Sequence, residues 1–211
     1  FVVFGVSHSA LADQQIWFFH PTNGETRYLE PGVPGIGVFW AINFVAIGPP
    51  AYYDWKTKVK IDNGPWIENV LSGTTSPLGP GVHYFAVELW EMTINGQWYQ
   101  TGTDNISITI VPKYNVTFKN DFALQPNGAN GQIKVGDWGS RPTRTSPYIE
   151  AVPQNGTRAM EAFNQDYQAP GEQNYFRVYQ NWSKNQLPFN SANPVQSDPV
   201  LGTTDYRANF S

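Results

Sequence analysis

The stretch at residues 81–101 constrains the fold most, because two β-prone runs there flank Asn95-Gly96. An Asn-Gly pair supplies the positive φ angles of a tight hairpin turn, so a two-residue loop is expected. In the first run Phe85, Val87 and Leu89 fall on one face, and Tyr84, Ala86, Glu88 and Trp90 on the other. A third run, Ile106-Ser107-Ile108-Thr109-Ile110-Val111, alternates apolar and polar residues with the period of a half-buried strand. Hairpin and strand together read as the closing sheet of a β-sandwich. No residue in them obliges a chemistry.

The rest of the chain extends this pattern. Its 19 Gly and 17 Pro are spread along the length, which suits many short strands joined by turns. The apolar stretch 36–47, closed by Gly48-Pro49-Pro50, is too short to span a bilayer and reads as a buried strand. No membrane insertion is expected, and a mature chain of this kind is expected to be soluble. A 3.6-residue period is nowhere sustained. The best helical candidate is a short one near residues 157–165. The expectation is an all-β chain.

Charge and cysteine content remove several classes of function. Charged residues make up 14% of the chain, against roughly 25% in an average domain. The net charge is −4 and the 13 Lys and Arg are scattered, so no footprint for nucleic acid is present. With no cysteine there is no disulfide, thiolate metal site or cysteine nucleophile. Low charge with abundant Asn, Gln, Ser and Thr resembles secreted and surface proteins. A chain opening on Phe1 rather than Met reads as a processed or excised product.

Lys60-Ile61-Asp62-Asn63-Gly64-Pro65-Trp66, then Leu78-Gly79-Pro80-Gly81-Val82-His83, then Asn95-Gly96 and the strand at 106–111, occur in that order. Across residues 33–111 this order resembles a bacterial immunoglobulin-like or fibronectin-III-like module. The resemblance implies a sandwich of two sheets with no catalytic residues. One alternating pattern ends at Val111-Pro112-Lys113 and another begins at Tyr114, which places a boundary there. The domains expected are residues 1–111, an immunoglobulin-like β-sandwich, and 112–211, a second and smaller β-rich domain.

In the second half, Val116-Thr117-Phe118, Gly131-Gln132-Ile133-Lys134-Val135, Phe176-Arg177-Val178-Tyr179-Gln180-Asn181-Trp182-Ser183 and the closing Tyr206-Arg207-Ala208-Asn209-Phe210 also follow one order. That order resembles the internalin B-repeat-like modules of bacterial surface proteins. Lys184-Asn185 stands where the family carries Asp-Gly, and a long polar loop to Val200 is expected after it. The resemblance implies a stalk, spacer or adhesive role at the cell surface.

Few residues suggest chemistry. His8, His20 and His83 lie far apart without metal-ligand spacing, and Ser7-His8-Ser9 would point to opposite faces of a strand. Glu88 and Glu91 likewise face opposite ways, so no paired carboxylates are expected for glycoside hydrolysis. Asp104-Asn105 and Asp62-Asn63-Gly64 lack the spacing of a calcium loop. No catalytic residue, cofactor or metal site is therefore assigned. Four Asn-x-Ser/Thr sites, at Asn105, Asn115, Asn155 and Asn181, match the glycosylation pattern in a chain rich in these residues.

Two groups of candidates remain. Trp55, Trp66, Trp98, Trp138 and Trp182 sit at or beside turns and strand ends. Exposed, they can stack on the sugar rings of a polysaccharide or anchor a protein interface; packed inward, they are core. Phe1, Val2, Val3, Phe4 and Val6 form a β-prone start. It is either the first strand of the sandwich or a strand donated to a neighbouring subunit. The first function expected is a non-catalytic structural, adhesin or filament subunit, secreted or on the cell surface, that binds itself or other surface proteins. The alternative is a carbohydrate-binding accessory module of a larger secreted enzyme.

Overall fold

The computed structural model describes residues 15–45, 52–93, 95–122, 131–167 and 175–211. The chain is all-β. It divides into two compact units, the first ending at Val111 and the second beginning at Pro112 and including Glu30–Gly32.

The first unit contains β1 (Gln15–His20), β2 (Glu25–Leu29), β3 (Phe39–Val45), β4 (Tyr52–Ile61), β5 (Ile67–Glu68), β6 (Ser72–Thr74), β7 (Gly81–Thr93) and the first half of β8 (Trp98–Phe122). One sheet has the order β1-β3-β6; the other runs β5-β4-β7-β8, with β2 on β8. Alternation decides what lies between them. Phe85, Val87 and Leu89 of β7 point inward, as do Ile106, Ile108 and Ile110 of β8 and Val59 of β4. They meet Ile16, Phe18, Trp40 and Ile42 of the smaller sheet. The Phe18 and Phe85 rings pack edge to face, 6.0 Å apart. This is the immunoglobulin-like sandwich architecture: antiparallel sheets closed over an apolar core.

The β7–β8 hairpin differs from the expected two-residue loop. The Thr93 N–H donates to the Gln97 carbonyl at 2.9 Å, and the Gly96 N–H to the Thr93 carbonyl at 2.8 Å. The bonded Thr93 and Gln97 therefore bracket a longer turn, in which Gly96 takes the left-handed φ of +78°. Nor do 106–111 and 114–118 form separate strands. β8 continues through Pro112, whose carbonyl accepts from Gln154 N at 2.8 Å.

The second unit contains the rest of β8 with β9 (Gln132–Gly136), β10 (Thr143–Thr145), β11 (Tyr148–Pro153), β12 (Ala159–Glu161), β13 (Gln165–Tyr167), β14 (Tyr175–Arg177), β15 (Tyr179–Lys184), β16 (Leu187–Asn190), β17 (Val195–Gln196) and β18 (Thr204–Phe210). Its larger sheet runs β11-β8-β18-β15-β16, its smaller one β10-β9-β12-β17, and β13 pairs with β14. The expected helix at 157–165 is absent. Ala159 and Met160 of β12 instead pair with both β9 and β17 and are fully buried. In β18 Thr204, Tyr206, Ala208 and Phe210 all point inward. That strand runs parallel to β8, placing Tyr206 beside Phe118 with rings 5.8 Å apart and nearly coplanar. The loop expected at 184–200 instead begins with a hairpin. Asn185 and Gln186, at φ +49° and +69°, link β15 to β16 in the left-handed pair of a tight two-residue turn.

In the first unit an imidazole ties two turns together. His83 Nδ1 lies 2.8 Å from Asp62 Oδ2, and Nε2 lies 2.8 Å from the Gly79 carbonyl. The other carboxylate oxygen of Asp62 accepts from the Tyr84 N–H at 2.8 Å. Both ring nitrogens face acceptors, so the imidazolium satisfies both. Partial burial pulls the His83 pKa down, but the bonds to Asp62 and Gly79 outweigh it and leave it raised above 6.5. A raised folded pKa stabilises below the unfolded value and is lost as pH rises through the folded one. Denaturation across this range should show stability falling as pH climbs above about 6.5, the ordinary value for His. His83→Gln should flatten that dependence. Phe85→Ala should cost about 3–5 kcal/mol in the same measurement, since its ring is wholly enclosed.

Candidate functional site

The outer face of the β5-β4-β7-β8 sheet is set by the same alternation that fills the core. Thr57, Val59 and Ile61 turn inward or to the edge of the core, so Lys56, Lys58 and Lys60 line the outside of β4. Strand pairing sets Lys56 opposite Trp90, Lys58 opposite Glu88 and Met92 opposite Trp98. Each ammonium then lies over an indole: Lys56 over Trp98 at 4.6 Å, Lys58 over Trp90 at 4.6 Å and Lys60 over Trp66 at 5.8 Å. Glu68 draws in Lys58 at 3.4 Å and Lys56 at 4.0 Å, while Trp90 Nε1–H donates to Glu88 at 2.7 Å. A sugar ring approaching Trp66 or Trp98 meets a ring face already carrying a cation. Lys56, Lys58, Lys60 and Trp90 escaped the sequence reading. The signal that would have found them is a Lys-x-Lys-x-Lys run on a strand that pairs with a Trp-rich hairpin.

The other candidates fall in different surroundings. Trp55 is 46% exposed, its ring 4.7 Å from that of Phe44. Trp182 has no exposed surface and packs in the core of the second unit against Tyr179, which corrects its reading as a ligand-stacking residue. Ring faces enclosed by protein have none left for a ligand. Phe1, Val2, Val3, Phe4 and Val6 lie outside the described residues.

Trp138 is built differently. It stands in a turn closed by the Ser140 N–H donating to the Asp137 carbonyl at 2.9 Å, and it is 57% exposed. The Arg141 guanidinium lies 5.5 Å from its ring centre and donates to the Trp138 carbonyl. Glu161 holds that guanidinium at 3.2 Å and Lys134 at 3.0 Å. Partial burial pushes the Glu161 carboxyl up, but its bonds from Lys134 and Arg141 prevail and keep it below the ordinary value. Asp137, which precedes Trp138 in the turn, is 84% exposed at its side chain, with Arg158 3.6 Å away.

Among the described residues no three His, Cys, Asp or Glu lie together as a metal-binding group, and no helix is long and apolar enough to cross a membrane.

No family model matches the chain, and no curated protein matches it. Among solved structures it is similar to BcpA, the major pilin subunit of Bacillus cereus. That likeness has a TM-score of 0.40 and 11% identity, covering 94% of this chain and 69% of the pilin. A second structure of that pilin gives a TM-score of 0.41 and 10% identity over the same shares, 94% and 69%. The Bacillus anthracis TIE protein is similar over 97% of this chain and 41% of its own, with a TM-score of 0.35 and 8% identity. The internalin-type resemblance finds no support in these comparisons.

Removing the cation from one rung of the ladder should cost about 0.5–1 kcal/mol. Lys58→Met, which keeps the apolar stem, should lose that much in urea denaturation and unquench or shift the Trp90 fluorescence. An unchanged midpoint and spectrum would mean that the ladder contributes nothing.

Proposed function

We propose that this chain is a non-catalytic structural or surface protein that works through protein–protein contacts, self-association first among them. The observation carrying this reading is the larger sheet of the second unit, which ends in two different open edges. β11 pairs only with β8, and β16 only with β15, among the described residues. Each edge strand bears an exposed apolar side chain, Ile149 at 59% and Leu187 at 69%.

The strand directions suit addition of a further copy. β11 is antiparallel to β8, β18 is parallel to it, β15 is antiparallel to β18, and β16 is antiparallel to β15. The two edges therefore run in opposite senses, and β16 of one copy meets β11 of the next as an antiparallel pair. Joining unlike edges leaves one of each free at every step, which builds an open filament and not a closed dimer. Pro153 and Pro188 each withhold a backbone donor, so a junction is short and its strength depends on concentration. The apolar start Phe1, Val2, Val3, Phe4 and Val6 is a second candidate contact, as a strand given to a neighbour. The low charge and lack of cysteine of the sequence fit a secreted or cell-surface setting.

Light scattering over a concentration series, with negative-stain microscopy of the same samples, tests the proposal. Growing oligomers or filaments are expected. Ile149→Lys and Leu187→Lys each block one edge, so either variant alone should stay monomeric, and an equimolar mixture should stop at dimers. A chain that stays monomeric at every concentration overturns the reading. Assembly unaffected by deletion of residues 1–6 removes the donated-strand contact and leaves the sheet edges as the junction.

A further inference from the structure

The tryptophans separate by what lies on their rings. Lysine ammonium groups lie over one face of Trp66, Trp90 and Trp98, Trp55 packs against Phe44, and protein encloses Trp182. Trp138 has one ring face on the Arg141 guanidinium and 57% of its surface in solvent, so its opposite face and edge are the parts presented. Arg141 is itself fixed, by the Trp138 carbonyl on one side and Glu161 on the other. The indole is thus held in place before any ligand arrives, which lowers the ordering cost of binding.

The surroundings of the ring are open and polar. Gly139, the next residue, has nothing within 4 Å of where a side chain would begin. Asp137, the preceding residue, offers a carboxylate that is 84% exposed, with Arg158 at 3.6 Å. A flat apolar plate in the same short turn as an exposed carboxylate matches a pyranose. The C–H face of such a ring packs on an indole while its rim of hydroxyl groups seeks acceptors and donors. Sugars with every ring hydroxyl equatorial, such as β-linked glucose, present the flattest C–H face.

We propose that the Asp137–Ser140 turn is a carbohydrate-binding site, with Trp138 as the stacking platform and Asp137 as the hydroxyl acceptor, for a β-linked glucan-type pyranose. The site does not depend on the sheet edges, so it stands or falls apart from self-association. A single platform with one or two polar partners binds weakly, and repeated copies on a surface would convert that into avidity.

The test is a titration of the isotope-labelled full chain with cellotetraose, following the Trp138 indole N–H signal by NMR. It is run in parallel on the Ile149→Lys variant so that assembly does not broaden the spectra. A saturable shift of that signal is expected. Trp138→Ala, followed through the backbone amide signals of Asp137 and Gly139 in the same titration, should weaken binding about tenfold, the upper end of an aromatic contact. Asp137→Asn, which keeps an acceptor oxygen but removes its charge, should weaken it about threefold to tenfold. Tyr99→Ala, an exposed aromatic of the first unit, should leave affinity unchanged. Near-ultraviolet circular dichroism confirms that each variant folds. No saturable shift of the Trp138 signal, or binding undiminished in Trp138→Ala, overturns the proposal.

Discussion

A one-residue slip of β7 against its neighbours would carry Phe85, Val87 and Leu89 to solvent and bring Tyr84, Glu88 and Trp90 into the core. The register that prevents it is fixed on both sides: Val87 lies opposite Val59 of β4 and Asp104 of β8. Without cysteine there is no staple to compensate for poor packing. Stability therefore rests on apolar faces pressed together within each unit, and everything on the outer faces follows from that choice. β18 shows the same dependence in the second unit. Its inward row, Tyr206, Ala208 and Phe210, matches the inward row Phe118, Asn120 and Phe122 of β8 residue for residue.

The outward rows solve a different problem. A sheet face in water must carry large side chains without becoming an adhesive patch. In the first unit this is met by laying lysine stems along the strands with their charges over tryptophan rings. In the second unit Lys119 and Arg207 interleave with Asp205 and Asp121 at 2.9–3.5 Å on the outer face of β8 and β18. Exposed ion pairs contribute little stability one by one. Their effect here is to keep broad sheet faces wetted in a chain with few charges, so that exposed apolar side chains at particular edges and turns stand out.

Much of this architecture was legible before the structure. The alternation at 85–89 and 106–110 and the inward triad Tyr206, Ala208 and Phe210 all lie where a period of two puts them. Three things were not legible. Loop length at Asn95-Gly96 depends on how the flanking strands pair, and the dipeptide alone is compatible with more than one hairpin. The parallel pairing of β18 with β8 joins residues 88 positions apart, a distance no local pattern encodes. The fates of the tryptophans were hidden for the same reason. Trp98 and Trp90 acquire their lysines only through cross-strand register. Trp182 is turned inward beside a register shift, where it and Ser183 are both buried and alternation fails.

Edges complete the account. A strand at the end of a sheet is a template for another strand unless something blunts it. In the first unit β5 is two residues long, and on β1 the Phe18 N–H is taken by the Asp104 carboxylate at 3.0 Å. These devices blunt one outer strand of each sheet of that unit. The second unit treats its larger sheet otherwise. β11 is six residues long with Ile149 exposed at 59%, while β16 is held to β15 by a two-residue turn that projects Leu187. Prolines at the ends of these strands limit how many donors an incoming strand finds, which tunes a junction toward weakness without sealing it. If strands add at β11 and β16, repeated use of two unlike edges has a filament as its natural outcome.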